Sequence, residues 1–291
     1  MDLNLLSSFL WITVDTLGRK SNNMYVLGLV SRKSYLLLGY FFCLLIWWVS
    51  LQLSGFTDTL TNYFFGLSFG LIPLIGGILG IHTSTKWGSY TSYFGRAVLF
   101  ISLGLISWGL GNCLWAYFNL VLHVEVPFPS LADLLFVVSW PLWLVGMLNL
   151  SKATGAKYSL KRAYGKVFLL IIPALAFLVT YYVVKFASGG GLDISGGPLA
   201  TFFVFAYPVG DVVILSMSLL VYGLSFGYLG GRYNLFISIL LISFIVNYFG
   251  DMGFSYTTTT NSYFNGNWVD LTFALAFFMM GFAVNSLQPE R

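Results

Sequence analysis

Charge is what this chain has least of. Asp, Glu, Lys and Arg make up 8% of its 291 residues, against about 25% in a soluble globular domain. No stretch longer than a short loop carries enough charge to form the surface of such a domain, so a soluble enzyme and a nucleic-acid-binding domain are both excluded. Histidine is nearly missing: only His82 and His123 occur. They fall at opposite ends of hydrophobic segments, too far apart to share a zinc ion or a haem. No lysine sits in the middle of a hydrophobic segment, which removes the Schiff base that a retinal protein needs. The two cysteines, Cys43 and Cys113, lie inside apolar runs and read as small buried hydrophobes rather than a disulfide. The chain has no Gly-x-x-x-x-Gly-Lys-Ser/Thr, Gly-x-Ser-x-Gly or His-Glu-x-x-His run. No cofactor, no nucleic-acid partner and no catalytic residue is therefore expected, and a water-activating constellation cannot be assembled from these residues.

What remains is overwhelmingly apolar, with 58% hydrophobic and 19% aromatic residues and a mean hydropathy of +0.83. A helix needs about 20 residues to cross the hydrocarbon core of a bilayer. Eight segments are long enough, near 35–54, 60–82, 96–122, 131–150, 165–186, 199–223, 233–252 and 267–287. The fold class is an all-α, polytopic membrane protein, a bundle of eight transmembrane helices over 35–287. Pro73, Pro141, Pro173 and Pro208 fall inside spans, where neighbouring helices satisfy the freed backbone groups. Residues 1–34 form a cytoplasmic N-terminal segment. Within it, 1–17 is apolar but broken by Asp2, Asn4 and Asp15, and it lacks the early positive region and cleavage site of a signal peptide. An interfacial helix is expected there. Residues 288–291 are a short cytoplasmic tail.

Basic residues bias short loops toward the cytoplasm. Thirteen of the 14 lysines and arginines fall on one side of an eight-span topology: Arg19, Lys20, Arg32, Lys33, Lys86, Arg96, Lys152, Lys157, Lys161, Arg162, Lys166, Arg232 and Arg291. The opposite loops hold Asp58, Glu125, Asp193 and the lone Lys185. The expectation is a cell-membrane, multi-pass protein with both termini cytoplasmic.

Four aspartates, Asp133, Asp211, Asp251 and Asp270, sit at or inside the ends of spans in the outer half of that topology, with almost no basic residue beside them. A carboxylate in lipid is costly unless protonated, paired or holding a cation, so each is a candidate ligand-binding residue. Counted from Leu199 at 1.5 Å per residue, Asp211 lies roughly 18 Å down, near the midplane. Tyr207 precedes it by one turn, and Asn247 precedes Asp251 by one turn. Asn112, Trp115 and Asn119 share a helix face at the same outer level. These residues are expected to converge on one outward-facing pocket with Trp140 and Trp143 nearby, an acidic and aromatic lining suited to an organic cation. Simpler roles compete. Asparagines inside spans commonly bond helix to helix, Asp133 follows Ser130 where a helix cap is expected, and Asp270 opens a span where an acid offsets the helix dipole. The acids suit a metal ion, a proton or an organic cation alike. A faint parallel between Pro129-x-x-x-Asp133 and Pro208-x-x-Asp211 hints at a duplication, with unequal spacing.

The run Gly111-Asn112-Cys113-Leu114-Trp115-Ala116-Tyr117, then Val126-Pro127-Phe128-Pro129-Ser130-Leu131-Ala132-Asp133, then Trp140-Pro141-Leu142 with Gly146 and Leu148 resembles the membrane sensor region found ahead of diguanylate cyclase, PAS and histidine kinase modules in bacteria and archaea. Ala206-Tyr207-Pro208-Val209-Gly210-Asp211, and Asp251 and Asp270 around a loop with Tyr263, Gly266 and Trp268, fit the same pattern. The resemblance covers roughly 100–285 and implies a sensory or ligand-binding membrane domain. The sequence ends at Arg291 with no output module, so a separate cytoplasmic or membrane signalling partner is expected besides the lipid bilayer and a cation or small-molecule ligand. The alternative is a transporter or channel for a small solute, proton or cation, using Asp211 as a mid-membrane carboxylate.

Overall fold

The structure, a computed structural model, describes residues 30–156, 163–187, 196–225 and 233–289. The N-terminal stretch read as an interfacial helix lies outside them. Eight long helices and no strand occur among the described residues: α1 Arg32–Ser54, α2 Leu60–Thr85, α3 Tyr93–Tyr117, α4 Leu131–Ala153, α5 Ala163–Ala187, α6 Gly197–Ser225, α7 Asn234–Thr259 and α8 Trp268–Ser286. Each is long and apolar enough to cross a membrane. The chain is a multi-pass membrane protein.

Local chemistry sets the helix starts and stops. Ser31 and Ser92 accept the backbone N–H of Ser34 and Gly95, at 3.1 and 2.8 Å, and so cap α1 and α3, satisfying donors that would otherwise lie bare at the membrane surface. α1 ends at Gly55, whose left-handed φ of 65° returns its N–H to the Gln52 carbonyl. Pro73, Pro141, Pro173 and Pro208 sit inside α2, α4, α5 and α6. α3 runs on into a π-helical turn over Phe118–Leu122 that stops at His123, with φ 53°.

Six helices close a ring. α3 packs on α2 and α4, α4 on α6, α6 on α7, α7 on α8, and α8 returns to α2; α1 lies outside α2 and α8, and α5 outside α6 and α7. Side chains facing out of the bundle are apolar: Leu53 is 84% exposed, Phe186 76% and Leu170 75%. No water-soluble protein shows such a surface on every side, because large apolar areas drive association; facing acyl chains, they cost nothing. Cys43 is on this outer surface rather than buried, and both cysteines are free.

Close helix contact rests on small residues in the first half of the ring. A β-carbon on Gly109 would lie 2.8 Å from the backbone N of Leu74, one on Gly146 2.6 Å from Ile101 Cγ1, and one on Gly104 would collide with the Trp143 indole. That indole is fully buried and donates to the Ile101 carbonyl at 3.3 Å. Gly104→Val is expected to lower thermal stability by about 3 kcal/mol or to abolish the folded protein, because overpacking a close-packed core forces backbone movement; the melting temperature in detergent checks it.

Candidate functional site

A cavity of about 760 Å³ opens at the end of the bundle where α4 and α8 begin and α3 and α7 finish. Asn112, Trp115, Asp133, Tyr207, Asp211, Asp251 and Asp270 all line it. Asn247 does not; it stands behind Asp251 and donates to that carboxylate at 2.7 Å. Asn119 is also absent from the lining, because the π-helical turn beyond Tyr117 breaks the 3.6-residue register that had placed it on the face of Asn112. Trp143 is in the core below. The stretch after His123 folds over the mouth, bringing Val126, Pro127 and Phe128 into the wall.

The four acids are held in three different ways. Asp133 is the third residue of α4: Ser130 donates to its Oδ2 through its backbone N–H at 2.7 Å and its hydroxyl at 3.0 Å, while Tyr207 donates to Oδ1 at 2.8 Å. It is therefore a helix cap and a cavity wall at once. Asp270 is the third residue of α8; Gly266 N–H donates to Oδ2 at 2.6 Å and Tyr263 to Oδ1 at 3.0 Å. Gly266 reaches that position with φ 86°, a left-handed conformation suited to glycine. Its loop is clamped by Gln52, which donates to the Gly266 carbonyl at 2.8 Å, by Trp48 on the Asn267 carbonyl at 3.1 Å and by Asn62 on the Asn265 carbonyl at 2.9 Å. Trp48 thus holds the site's supporting loop as well as lying near a helix end. Burial, and then the adjacent Asp270 carboxylate, hold the Tyr263 phenol well above the ordinary tyrosine range.

Asp211 and Asp251 form the third arrangement, a side-chain hydrogen bond to each other across α6 and α7. A bond between two carboxyl groups requires a proton on one of them, since an ionised carboxylate only accepts. Asp211 is 4% exposed, while Asp251 is partly open to the cavity. The depth estimate changes with the partner. α6 has 29 residues, about 43 Å, longer than the hydrocarbon core of a bilayer requires. Counted instead from the end of α7 at Thr259, Asp251 is eight residues in, roughly 12 Å, so the pair lies nearer the cavity mouth than a count along α6 alone suggests.

Aromatic rings make the remaining wall. Trp115 stacks edge-on against Phe254 at 5.8 Å and Tyr263 at 6.4 Å, and Trp140 stands perpendicular to Tyr207 at 5.2 Å. Asn112 donates to the Gly66 carbonyl on α2 at 2.7 Å, bonding helix to helix while it lines the wall. The Trp115 Nε1–H and the Asn247 Oδ1 are buried without a protein partner, unusual for groups that cost about 1–3 kcal/mol when left unmatched. Phe69, Trp108, Phe136 and Phe273 close the floor, with the Trp108 ring 4.1 Å from that of Phe277. Phe69, Trp108, Phe136 and Phe273 are apolar and were not separable from core residues in the sequence. Among the described residues, no group of three or more His, Cys, Asp or Glu side chains is placed to hold a metal ion. Among the described residues, the lining contains no lysine, arginine or histidine.

No family model matches the chain, and neither the curated proteins nor the solved structures contain a significant match.

Proposed function

We propose that this protein is a membrane-embedded sensory or ligand-binding domain whose acidic, aromatic cavity takes a small organic cation from outside the cell and signals through a separate partner. The observation that carries the reading is the Asp211–Asp251 carboxyl pair in the wall of an aromatic cavity that, among the described residues, holds no basic side chain. An ammonium group entering beside Trp115, Tyr207 and Tyr263 gains attraction from the ring faces and from a carboxylate. Binding it expels the proton shared by the pair, one proton released for one cation bound. Neutralising the pair by a cation instead of a proton changes the separation that α6 and α7 prefer, and the far ends of those helices carry that change to a partner. The aromatic residues Trp108, Phe136 and Phe273 in the lining favour binding over conduction, since an apolar surface there does not solvate a passing ion.

The test uses butylammonium as probe and butanol as its uncharged counterpart, with the full chain in lipid nanodiscs. Butylammonium at 100 times its dissociation constant is expected to stabilise the fold by about 2.7 kcal/mol, and butanol far less. Affinity should rise with pH, because protons compete for the same carboxyls. Equal effects of the two probes would sink the reading, and butylammonium flux through liposomes carrying only this protein would replace it with the transporter alternative.

Orientation is part of the same proposal, with the cavity outward and both termini cytoplasmic, and rests on thirteen of 14 basic residues falling on one side. Thr57→Cys and Thr259→Cys, between α1 and α2 and at the end of α7, are expected to react with an impermeant maleimide from outside intact cells. Tyr90→Cys, in the α2–α3 connection, is expected to react only after permeabilisation. The reverse pattern overturns the orientation.

A further inference from the structure

Two parts of the chain that frame the cavity repeat one another. Gly111-Asn112-Cys113-Leu114-Trp115-Ala116-Tyr117 on α3 matches Gly250-Asp251-Met252-Gly253-Phe254-Ser255-Tyr256 on α7. At the next helix start, Ser130-Leu131-Ala132-Asp133-Leu134-Leu135-Phe136 matches Asn267-Trp268-Val269-Asp270-Leu271-Thr272-Phe273. The geometry repeats with the residues. A β-carbon on Gly111 would lie 2.7 Å from Phe136 Cε1, and one on Gly250 2.7 Å from Phe273 Cε1. Phe136 and Phe273 both pack on Trp108, at 5.0 and 5.3 Å between ring centres. Ser130 and Asn267 cap their helices, Asp133 and Asp270 are each the third helical residue, and each carboxylate accepts one backbone N–H and one tyrosine hydroxyl. The ring follows suit: α4 packs on α6 as α8 packs on α2.

The halves differ in the source of the tyrosine, α6 for Asp133 and the α7–α8 connection for Asp270, and they differ most at one level. On α3, Asn112 lies directly over Gly70 of α2, where a β-carbon would collide with its amide nitrogen. Its counterpart on α7 is Asp251, and what Asp251 meets on α6 is Asp211. One half sets an amide against a glycine and the other sets a carboxyl against a carboxyl.

We propose that Asp133 and Asp270 are matched positioning residues, the fixed frame of a duplicated site, and that the Asp211–Asp251 pair alone exchanges its proton for the ligand. This division of roles rests on the reading of the cavity as a cation site. Asp133 and Asp270 have both oxygens occupied by hydrogen-bond donors and stand in the first turns of their helices, where those contacts hold them in place. The first half is locked at the cavity end by glycines at backbone distance, as Gly109 is against Leu74, whereas at that end α6 and α7 meet through the carboxyl pair and are pinned only further along, where Ser218 donates to the Leu241 carbonyl at 2.6 Å. Removing the pair's proton without replacing it sets two carboxylates against each other, so the cavity end of the α6–α7 contact has two states and the α2–α3–α4 contact has one. The ionisable groups facing the pair are Tyr207 on α6 and Tyr248 on α7, with Asp133 of α4 beyond Tyr207; α5 contributes the Thr180 hydroxyl, 3.0 Å from Tyr248 Oη.

Infrared spectra of the full chain in nanodiscs, without ligand, read the shared proton as a protonated-carboxyl band. Asp211→Asn and Asp251→Asn are each expected to remove or move that band and to weaken butylammonium-linked proton release at least tenfold, with little change in melting temperature. Asp133→Asn and Asp270→Asn are expected to keep the band and to lower the melting temperature by ~5 °C, as loss of an acceptor that serves several donors does. If those two do not fold, Tyr207→Phe and Tyr263→Phe untether the same carboxylates without deleting them, and the band should again persist. A band that survives in both Asp211→Asn and Asp251→Asn, or that vanishes with Asp133→Asn, Asp270→Asn or the two phenylalanine variants, overturns the division. A band that segregates as expected in a protein that ignores butylammonium leaves the division standing and rejects the cation ligand.

Discussion

Asp211→Leu is expected to weaken butylammonium binding by more than a hundredfold, measured by calorimetry on the full chain in nanodiscs. Asp211 is almost wholly buried, and its contact across the helix interface is the Asp251 carboxyl. With leucine there, Asp251 alone must neutralise the cation in a site where the aromatic rings supply only about 0.5–2 kcal/mol. Breaking a buried ionic arrangement by removing one partner costs about 3–5 kcal/mol, and ~1.4 kcal/mol is a factor of ten. Stability of the ligand-free fold should hold or rise, because a buried polar group is exchanged for an apolar one of similar volume. A variant with unchanged affinity would show that the pair does not contact the ligand.

The second large effect is on stability. Asp270→Ala is expected to destabilise the fold by about 3–4 kcal/mol, since it strands two buried donors, the Gly266 N–H and the Tyr263 hydroxyl, each costing about 1–3 kcal/mol unpaired, and removes an acid from the first turn of α8. The loss should spread to α1, because Gln52 and Trp48 hold the same loop. Thermal unfolding in one detergent, compared with Glu125→Ala on the exposed α3–α4 connection, separates this from a general effect of charge removal; Glu125→Ala is expected to stay within ~0.5 kcal/mol of the parent. If the two variants melt together, Asp270 is not the anchor its hydrogen bonds describe.

The readings that held across sequence and structure were those governed by solvent. An apolar run of some 20 residues has one stable solution in a bilayer, so all eight helices were legible, with ends displaced by a few residues where Ser31, Ser92 or Gly55 sets the cap. The convergence of acids was legible in part. Each of the four aspartates stood out because a carboxylate in an apolar segment needs a partner, yet nothing local said which partner. Asn119 was misjudged for a local reason: a π-helical turn is invisible to a count that assumes 3.6 residues per turn. The sequence hints at a repeat between α4 and α6, where two Pro-to-Asp intervals look alike, but the contacts that recur are in α3–α4 and α7–α8, where Gly111 meets Phe136 and Gly250 meets Phe273.

By itself the sequence determined the solvent, the number of helices and the shortlist of polar groups that demand an explanation, because burial in lipid penalises every unpaired charge wherever the chain folds. Only the tertiary structure decided which carboxyl faces which. Asp133 and Asp270 draw their partners from tyrosines 74 and 7 residues away, and Asn112 draws its partner from a glycine 46 residues away. Asp211 and Asp251 find each other across two helices whose approach is set by packing around the whole ring, an interaction with no local period for a sequence to record.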